Sequence, residues 1–295
     1  MWRSSTPPSY KTALAHIENN SPIMKTYYPE NYSEEENSSL IKALADNTSV
    51  TKIDYNFDYA PYPLTQSAIA ELPNILATNK GLKKIILGCH SSPEFITSLA
   101  KNLLDNQKIT EVRLTGSLNE EHYYDEALLH LGDWIEKSPS LKHVALSVVR
   151  TKQASTIKIL ANKLSNSKNL NSLELYHGTF NEKGVMYFAD LFAKNKKLKD
   201  LHLYRCGIDD ESAVYFANKL IDVTKVQAFA FTSDLISNNG LQCLAVAVLK
   251  NPNVYIHFLR KKDNGTLFRF ESEFISPFLK RDAKKILKQY WYSWS

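Results

Sequence analysis

Apolar residues recur along this chain with two alternating periods. In Leu198-Lys-Asp-Leu201-His-Leu203-Tyr-Arg-Cys206-Gly-Ile208 they fall at every second position through the middle, as in a strand with one buried face. The same frame returns with its first apolar position at Ile23, Val50, Leu82, Ile109, Leu141, Leu170, Leu198, Val226 and Val254. The spacings are 27, 32, 27, 32, 29, 28, 28 and 28 residues. Ahead of each frame lies a pair of apolar residues one helical turn apart, such as Leu40/Leu44, Leu99/Leu103, Leu160/Leu164 and Phe188/Phe192. That i, i+4 spacing marks a helix with one buried face. Small residues sit beside the pair at Ala100, Gly132, Ala161, Ala189, Ala217 and Ala245, where they permit close helix packing. A unit of one strand and one helix cannot cover its own apolar face, so the units are predicted to stack, about nine of them.

Three residues before each strand frame stands Asn20, Asn47, Asn79, Asn106, Ser138, Ser167, Asn195, Val223 or Asn251. Asparagine tolerates the left-handed backbone that ends many helices, and this predicts a left-handed residue at each helix end.

The L-x-x-L-x-L-x-x-C-x-I frame resembles the ribonuclease-inhibitor-like leucine-rich repeats. The resemblance implies an α/β solenoid, a horseshoe with a parallel sheet on its concave face and helices on its convex face. It spans residues 9–261. Only Cys206 and Asn31 match the family's Asn/Cys position after the strand. Asp58, His90, Ser117, Val149, Gly178, Asp234 and Lys262 occupy it elsewhere, so an incomplete side-chain ladder and an irregular solenoid are expected.

Flanking segments complete the organisation: residues 1–8 as a disordered N-terminus and 262–295 as a C-terminal cap. Asp263-Asn264-Gly265 between β-prone runs predicts a hairpin strand closing the sheet edge. Ser276-Pro277 then predicts a helix start. The helix carries Lys280, Lys284 and Lys288 on one face, with Trp291 and Trp294 near its end. It reads as a cap or, alternatively, as a peripheral membrane or partner-binding helix. The two longer repeats carry insertions around 57–63 and 119–126, each exposing tyrosines that could form contacts.

Residues alternating with the strand anchors are predicted to face the concave side. They include Lys84, Glu111, Arg113, His143 and Ala145, then Ser172, Glu174, Tyr176, Asp200, His202 and Tyr204. Ala228, Ala230 and Thr232 follow, and the last frame adds Ile256, Phe258 and Arg260. Tyr and Arg are common anchors of protein interfaces. The candidate protein-binding set is therefore Glu111, Arg113, His143, Glu174, Tyr176, Asp200, His202 and Tyr204, with the adjoining Arg205.

The totals narrow the alternatives. The net charge of +5 comes from 29 Lys and 7 Arg against 31 acids. Lysine-rich excess of this size reads as a solvated surface, not a nucleic-acid site. Three cysteines, Cys89, Cys206 and Cys243, lie too far apart for a zinc motif or a disulfide framework, which fits a reducing compartment. The first residues lack a secretory signal's apolar core. No hydrolase, zinc-protease or phosphate-loop motif is present. Glu174 and His202 share a frame position on adjacent strands, but His143, one strand further, does not, and no second acid is obvious, so a metal site is not expected. Cys89 and Cys206 read as core residues.

The resulting expectation is a monomeric, non-enzymatic scaffold without cofactor that binds a protein partner across the concave face. The Lys-, Asn-, Ser- and Tyr-rich style with degenerate repeats is similar to leucine-rich-repeat effectors that Legionella-type bacteria deliver into host cells. That similarity implies a bacterial effector and virulence role against a host protein. The protein would lie in the cytoplasm, or be secreted without a signal peptide into the host's.

Overall fold

The computed structural model describes residues 8–21, 26–27, 32–56, 65–88, 92–115, 123–147, 149–178, 180, 184–223, 227–232, 235–251, 253–261 and 267–271. The chain divides into two compact units, Met1–Val148 with Ser167–Asn169, and Val149–Asn166 with Leu170–Ser295.

The first unit alternates helices and strands: α1 (Tyr10–Glu18), β1 (Thr26–Tyr27), α2 (Glu34–Ala43), β2 (Lys52–Asn56), α3 (Gln66–Thr78), β3 (Lys84–Gly88), α4 (Pro93–Leu103), β4 (Glu111–Thr115), α5 (Asp125–Lys137) and β5 (His143–Leu146). Its strands pair in parallel in sequence order. The second unit continues with α6 (Ala154–Asn166), β6 (Ser172–Tyr176), α7 (Gly184–Lys194), β7 (Asp200–Tyr204), α8 (Asp210–Ile221), β8 (Gln227–Thr232), α9 (Asn238–Lys250), β9 (Val254–Lys261) and β10 (Leu267–Glu271). Strands β6 to β9 are parallel, and β10 pairs antiparallel with β9, Leu267 opposite Lys261 and Glu271 opposite His257. Strand–helix repeats on a sequential parallel sheet are the α/β architecture expected of leucine-rich repeats.

Helix starts are locally encoded. Ser9, Ser33, Thr65, Ser92, Asp209 and Ser237 each accept a backbone N–H in the first turn of the following helix. Ser33 and Glu36 complete a reciprocal capping box. All the helical i, i+4 pairs are buried, from Ala13/Ile17 to Leu244/Val248, as are the anchors Val50, Leu82, Ile109, Leu141, Leu170, Leu198 and Val254. Ile23 and Val226 lie outside the described residues.

The helix-end asparagines do a different job from the one predicted. Among the described residues only Asn20 has a left-handed backbone there, with φ 51°. Asn79 has φ −59° and Asn251 φ −127°. Their side chains instead tie each repeat to the one before. The Asn47 amide donates to Ile17 O at 2.6 Å, while its carbonyl accepts from the N–H groups of Ser49 (3.0 Å) and Val50 (2.7 Å). Asn79 donates to Leu44 O and to Asn47 O (2.9 Å) and accepts from Gly81 and Leu82, both at 2.8 Å. Asn106 repeats the pattern on Ala77 O, Lys108 and Ile109. In the second unit Asn195 bonds Leu164 O, Lys197 and Leu198. Asn251 bonds Leu220, Ile221 and Val223 carbonyls and the Asn253 N–H. One buried amide thus satisfies the last carbonyls of one helix and the first N–H groups of the next strand. This ladder lies at helix ends, not at the family's position after the strand.

Two frames also shift. In the register Ala228 opposes Tyr255 and Phe231 opposes Phe258, so the last repeat is 27 residues long (255 − 228), not 28. Ile256 and Phe258 are therefore core residues, 2% and 0% exposed, and Tyr255 and His257 take the open face. At the other end Thr26 opposes Lys52, a spacing of 26 (52 − 26), where 27 was expected.

Candidate open-face site of the second unit

On strands β6 and β7 the side chains alternate, except that Ser172 at the start of β6, expected on the open face, is buried. Leu173, Leu175, Leu201 and Leu203 are fully buried, and Glu174, Tyr176, Asp200, His202 and Tyr204 are half-buried on the opposite face. The register sets Glu174 beside His202 and Tyr176 beside Tyr204. The two tyrosine rings stack with centroids 5.0 Å apart and planes 25° apart. Each hydroxyl is tied to the residue two back on its own strand. Tyr176 donates to Glu174 Oε2 at 2.5 Å, and the Tyr204 hydroxyl lies 3.2 Å from His202 Nδ1. The His202 ring meets Tyr204 edge-on at 5.6 Å. Burial, and then the Glu174 charge, push the Tyr204 hydroxyl above its ordinary pKa, so it remains a neutral phenol at physiological pH.

Next to this pair, β8 presents only Ala228, Ala230 and Thr232, with Ala230 4% exposed. β9 then contributes Tyr255 and His257. At the C-terminal end of the strands His177 and Arg205 carry left-handed backbones, φ 54° and 53°. They extend the ladder by one step: the His177 N–H donates to Tyr204 O at 2.9 Å, and the Arg205 N–H donates to Thr232 O at 3.2 Å. Thr232 Oγ1 also accepts from Arg205 N at 2.8 Å. Burial, then the Arg205 charge, hold the His177 imidazole below its ordinary pKa. His177, Thr232, Tyr255 and His257 were not among the predicted site residues. His177 shares the frame position of Arg205, a signal available in the sequence.

The other predicted strand residues, Glu111, Arg113 and His143, belong to the first unit. Glu111 pairs with Lys84 at 2.7 Å across β3 and β4; Arg113 is half-buried on β4, and His143 is exposed on β5 beside Glu111. Lys280, Lys284, Lys288, Trp291 and Trp294 of the predicted C-terminal helix lie outside the described residues, as do residues 1–7, the insertion at 57–63, residues 119–122 of the second insertion, and Cys89. One expectation about the second insertion is overturned. Tyr124, expected on an exposed contact loop, is 2% exposed and packs at the start of α5.

Cys206 is fully buried, with Sγ 3.5 Å from both Leu175 O and Tyr204 O. Burial pushes its thiol up to about 12, against a weaker opposing hydrogen bond from the Gly178 backbone, so it is a packing residue and no nucleophile. Among the described residues no three His, Cys, Asp or Glu side chains converge as a metal site, and no helix is long and apolar enough to cross a membrane.

No family's sequence profile matches the chain, and no characterised relative is found by sequence. Several solved structures are similar in part. The actin-binding site 2 of leiomodin-1 is 14% identical with a TM-score of 0.36, over 64% of this chain and 91% of its own. The C-terminal domain of Caenorhabditis elegans tropomodulin is 16% identical with a TM-score of 0.43, over 54% of this chain and 93% of its own. A Bacteroides fragilis protein is 11% identical with a TM-score of 0.44, over 76% of this chain and 72% of its own. Overlap this partial adds nothing to the fold that the strand registers establish.

Proposed function

We propose that the chain is a non-enzymatic binding scaffold that holds a protein partner on the open sheet face of the second unit. The observation that carries this reading is the Tyr176–Tyr204 stack with both hydroxyls engaged by neighbours on their own strands. Such rings are held in place before a partner arrives, so little side-chain entropy is lost on contact. Large, rigid, amphipathic surface of this kind is what interface anchors are made of. Glu174, Asp200, His202 and Arg205 surround the rings with polar groups that set orientation and exclude wrong partners. The style shared with delivered bacterial effectors suggests that the partner is a host protein.

The test is capture from eukaryotic lysate by the full chain, with bound proteins identified by mass spectrometry and their affinities then measured. Replacing both tyrosines, Tyr176→Ala/Tyr204→Ala, should weaken the selected partner by about 30-fold or more, the size of an anchor residue's contribution. Unchanged affinity in a variant that still folds would sink the reading.

A further inference from the structure

We propose that His177 and Arg205 form a seat for an oxyanion, a carboxylate or a phosphate group carried by the protein partner, at the edge of the tyrosine pair. The proposal rests on the reading of this face as a docking surface and adds the chemistry of what docks. Tyr176 and Tyr204 are register partners, so the next residue on each strand, His177 and Arg205, starts about 4.8 Å from its neighbour, the spacing of adjacent strands. The backbone bond from His177 N–H to Tyr204 O keeps that pairing in place.

Both residues are held at φ near 50°, a conformation that strains an L side chain and costs glycine nothing. Glycine occurs in the same turns, at Gly178 and Gly207, yet not at these positions. Two nitrogen-bearing side chains therefore stand at two strained, equivalent sites. Such outliers point from structure toward use. Arg205 is exposed, and no carboxylate among the described residues pairs with it. The acids of this face, Glu174 and Asp200, sit further back along their strands, and Glu174 already accepts from Tyr176. Among the described residues, Arg205 thus leaves positive charge without a carboxylate partner at the strand ends, beside aromatic surface. The guanidinium fork matches a carboxylate or phosphate geometrically, and imidazole offers one N–H donor when neutral and two, with a positive charge, once protonated. Among the described residues, Arg205 is the charged group whose field reaches the His177 imidazole. An oxyanion bound between the two side chains would offset the Arg205 charge, which after burial is the second cause that lowers the His177 pKa.

The test is a pH titration of the histidine rings by NMR on the full chain, in chloride alone and with sodium acetate or inorganic phosphate at matched ionic strength. His177→Gln assigns the signal. The expected result is a rise of the His177 midpoint by about half a pH unit or more with acetate or phosphate, the other histidines moving less. Arg205→Gln should remove the rise, and Arg205→Lys should keep part of it. A stronger response to acetate assigns an acidic segment as the source, and a stronger response to phosphate a phosphorylated one. An unmoved midpoint, an equal rise at every histidine, or a rise that survives Arg205→Gln overturns the seat. The readout needs no partner, so it fails independently of the docking reading. If the tyrosine variant loses its partner while His177 does not respond, the seat alone falls.

Discussion

The two units use one scaffold and finish its open face in different ways. In the first, charges answer one another: Lys84 meets Glu111 across adjacent strands, and Lys52 meets Asp54 on its own strand at 2.6 Å. In the second, rings stack on rings, and the acid beside them is bonded to a tyrosine. The interiors differ too. Leu, Ile and Val fill most of the first core, whereas Phe216, Phe229, Phe231 and Phe258 form a chain of ring contacts 4.4–5.0 Å apart in the second. Among the described residues, the large exposed apolar side chains, Ile159, Val214, Leu235 and Val246, also all belong to the second unit. A face of half-exposed ion pairs stays solvated and gains little from being covered. Aromatic surface is only partly satisfied by water and gains when a partner covers it. On that contrast rests our proposal that the docking surface lies in the second unit.

The largest effects should come from what the units share. Leu201 is fully buried under the tyrosine face, and Val112 is its counterpart under the charged one. Leu201→Asp and Val112→Asp should each cost about 3–5 kcal/mol in urea unfolding, since each buries an unpaired carboxylate. A small loss at either would mean that the strand register is wrong there.

Next in size are the ladder asparagines. Asn79→Ala leaves two carbonyls and two N–H groups without their partner in a site 2% exposed, and should cost about 3 kcal/mol or more in the same assay. Asn195→Ala should cost a similar amount in the other unit. Parity would confirm a common scaffold. A large deficit in one unit alone would show that the ladder matters unequally.

These asparagines also show where sequence reasoning succeeds and where it stops. The strand and helix frames were legible because burial imposes periods of 2 and 3.6 that no other constraint mimics. The recurrence of Asn was equally legible, but its cause was not. An amide suits both a left-handed turn and a buried bridge, and only the partners tell them apart. At the last repeat two signals conflicted. A constant 28-residue spacing puts Ile256 and Phe258 outside, while the alternation Val254-Tyr-Ile256-His-Phe258 puts them inside. Alternation reflects burial directly, whereas repeat length bends with any one-residue change in a loop, so the alternation was the sounder guide. The tyrosine pair followed from shared frame positions, yet the hydroxyl bonds to Glu174 and His202 depend on rotamers that no pattern encodes.

Smaller effects separate the two faces. Glu174→Gln weakens a bond from a tyrosine hydroxyl to a charged acceptor and should cost about 1 kcal/mol, with little dependence on salt. Glu111→Gln breaks an ion pair whose side chains are 50% and 22% exposed, and should cost less than about 0.5 kcal/mol, vanishing in 1 M salt. Thermal unfolding at low and high salt measures both. Equal salt sensitivity would erase the distinction between the faces.

The smallest effect concerns pH, and its sign is fixed by His177. Its folded-state pKa lies below the ordinary value near 6.5, with burial the first cause and Arg205 the second. The unfolded chain therefore binds more protons than the folded one as pH falls through that region, so this residue's contribution to stability grows with rising pH and is lost below about 6.5. Partial exposure keeps the effect modest. In His177→Gln the decline in stability from pH 7 to pH 5 should be shallower than in the parent. In Arg205→Gln it should be intermediate, because the weaker cause is gone and burial remains. A slope unchanged by Arg205→Gln would mean that the arginine does not reach the imidazole, and the positive edge that sets the second face apart would lose its second member.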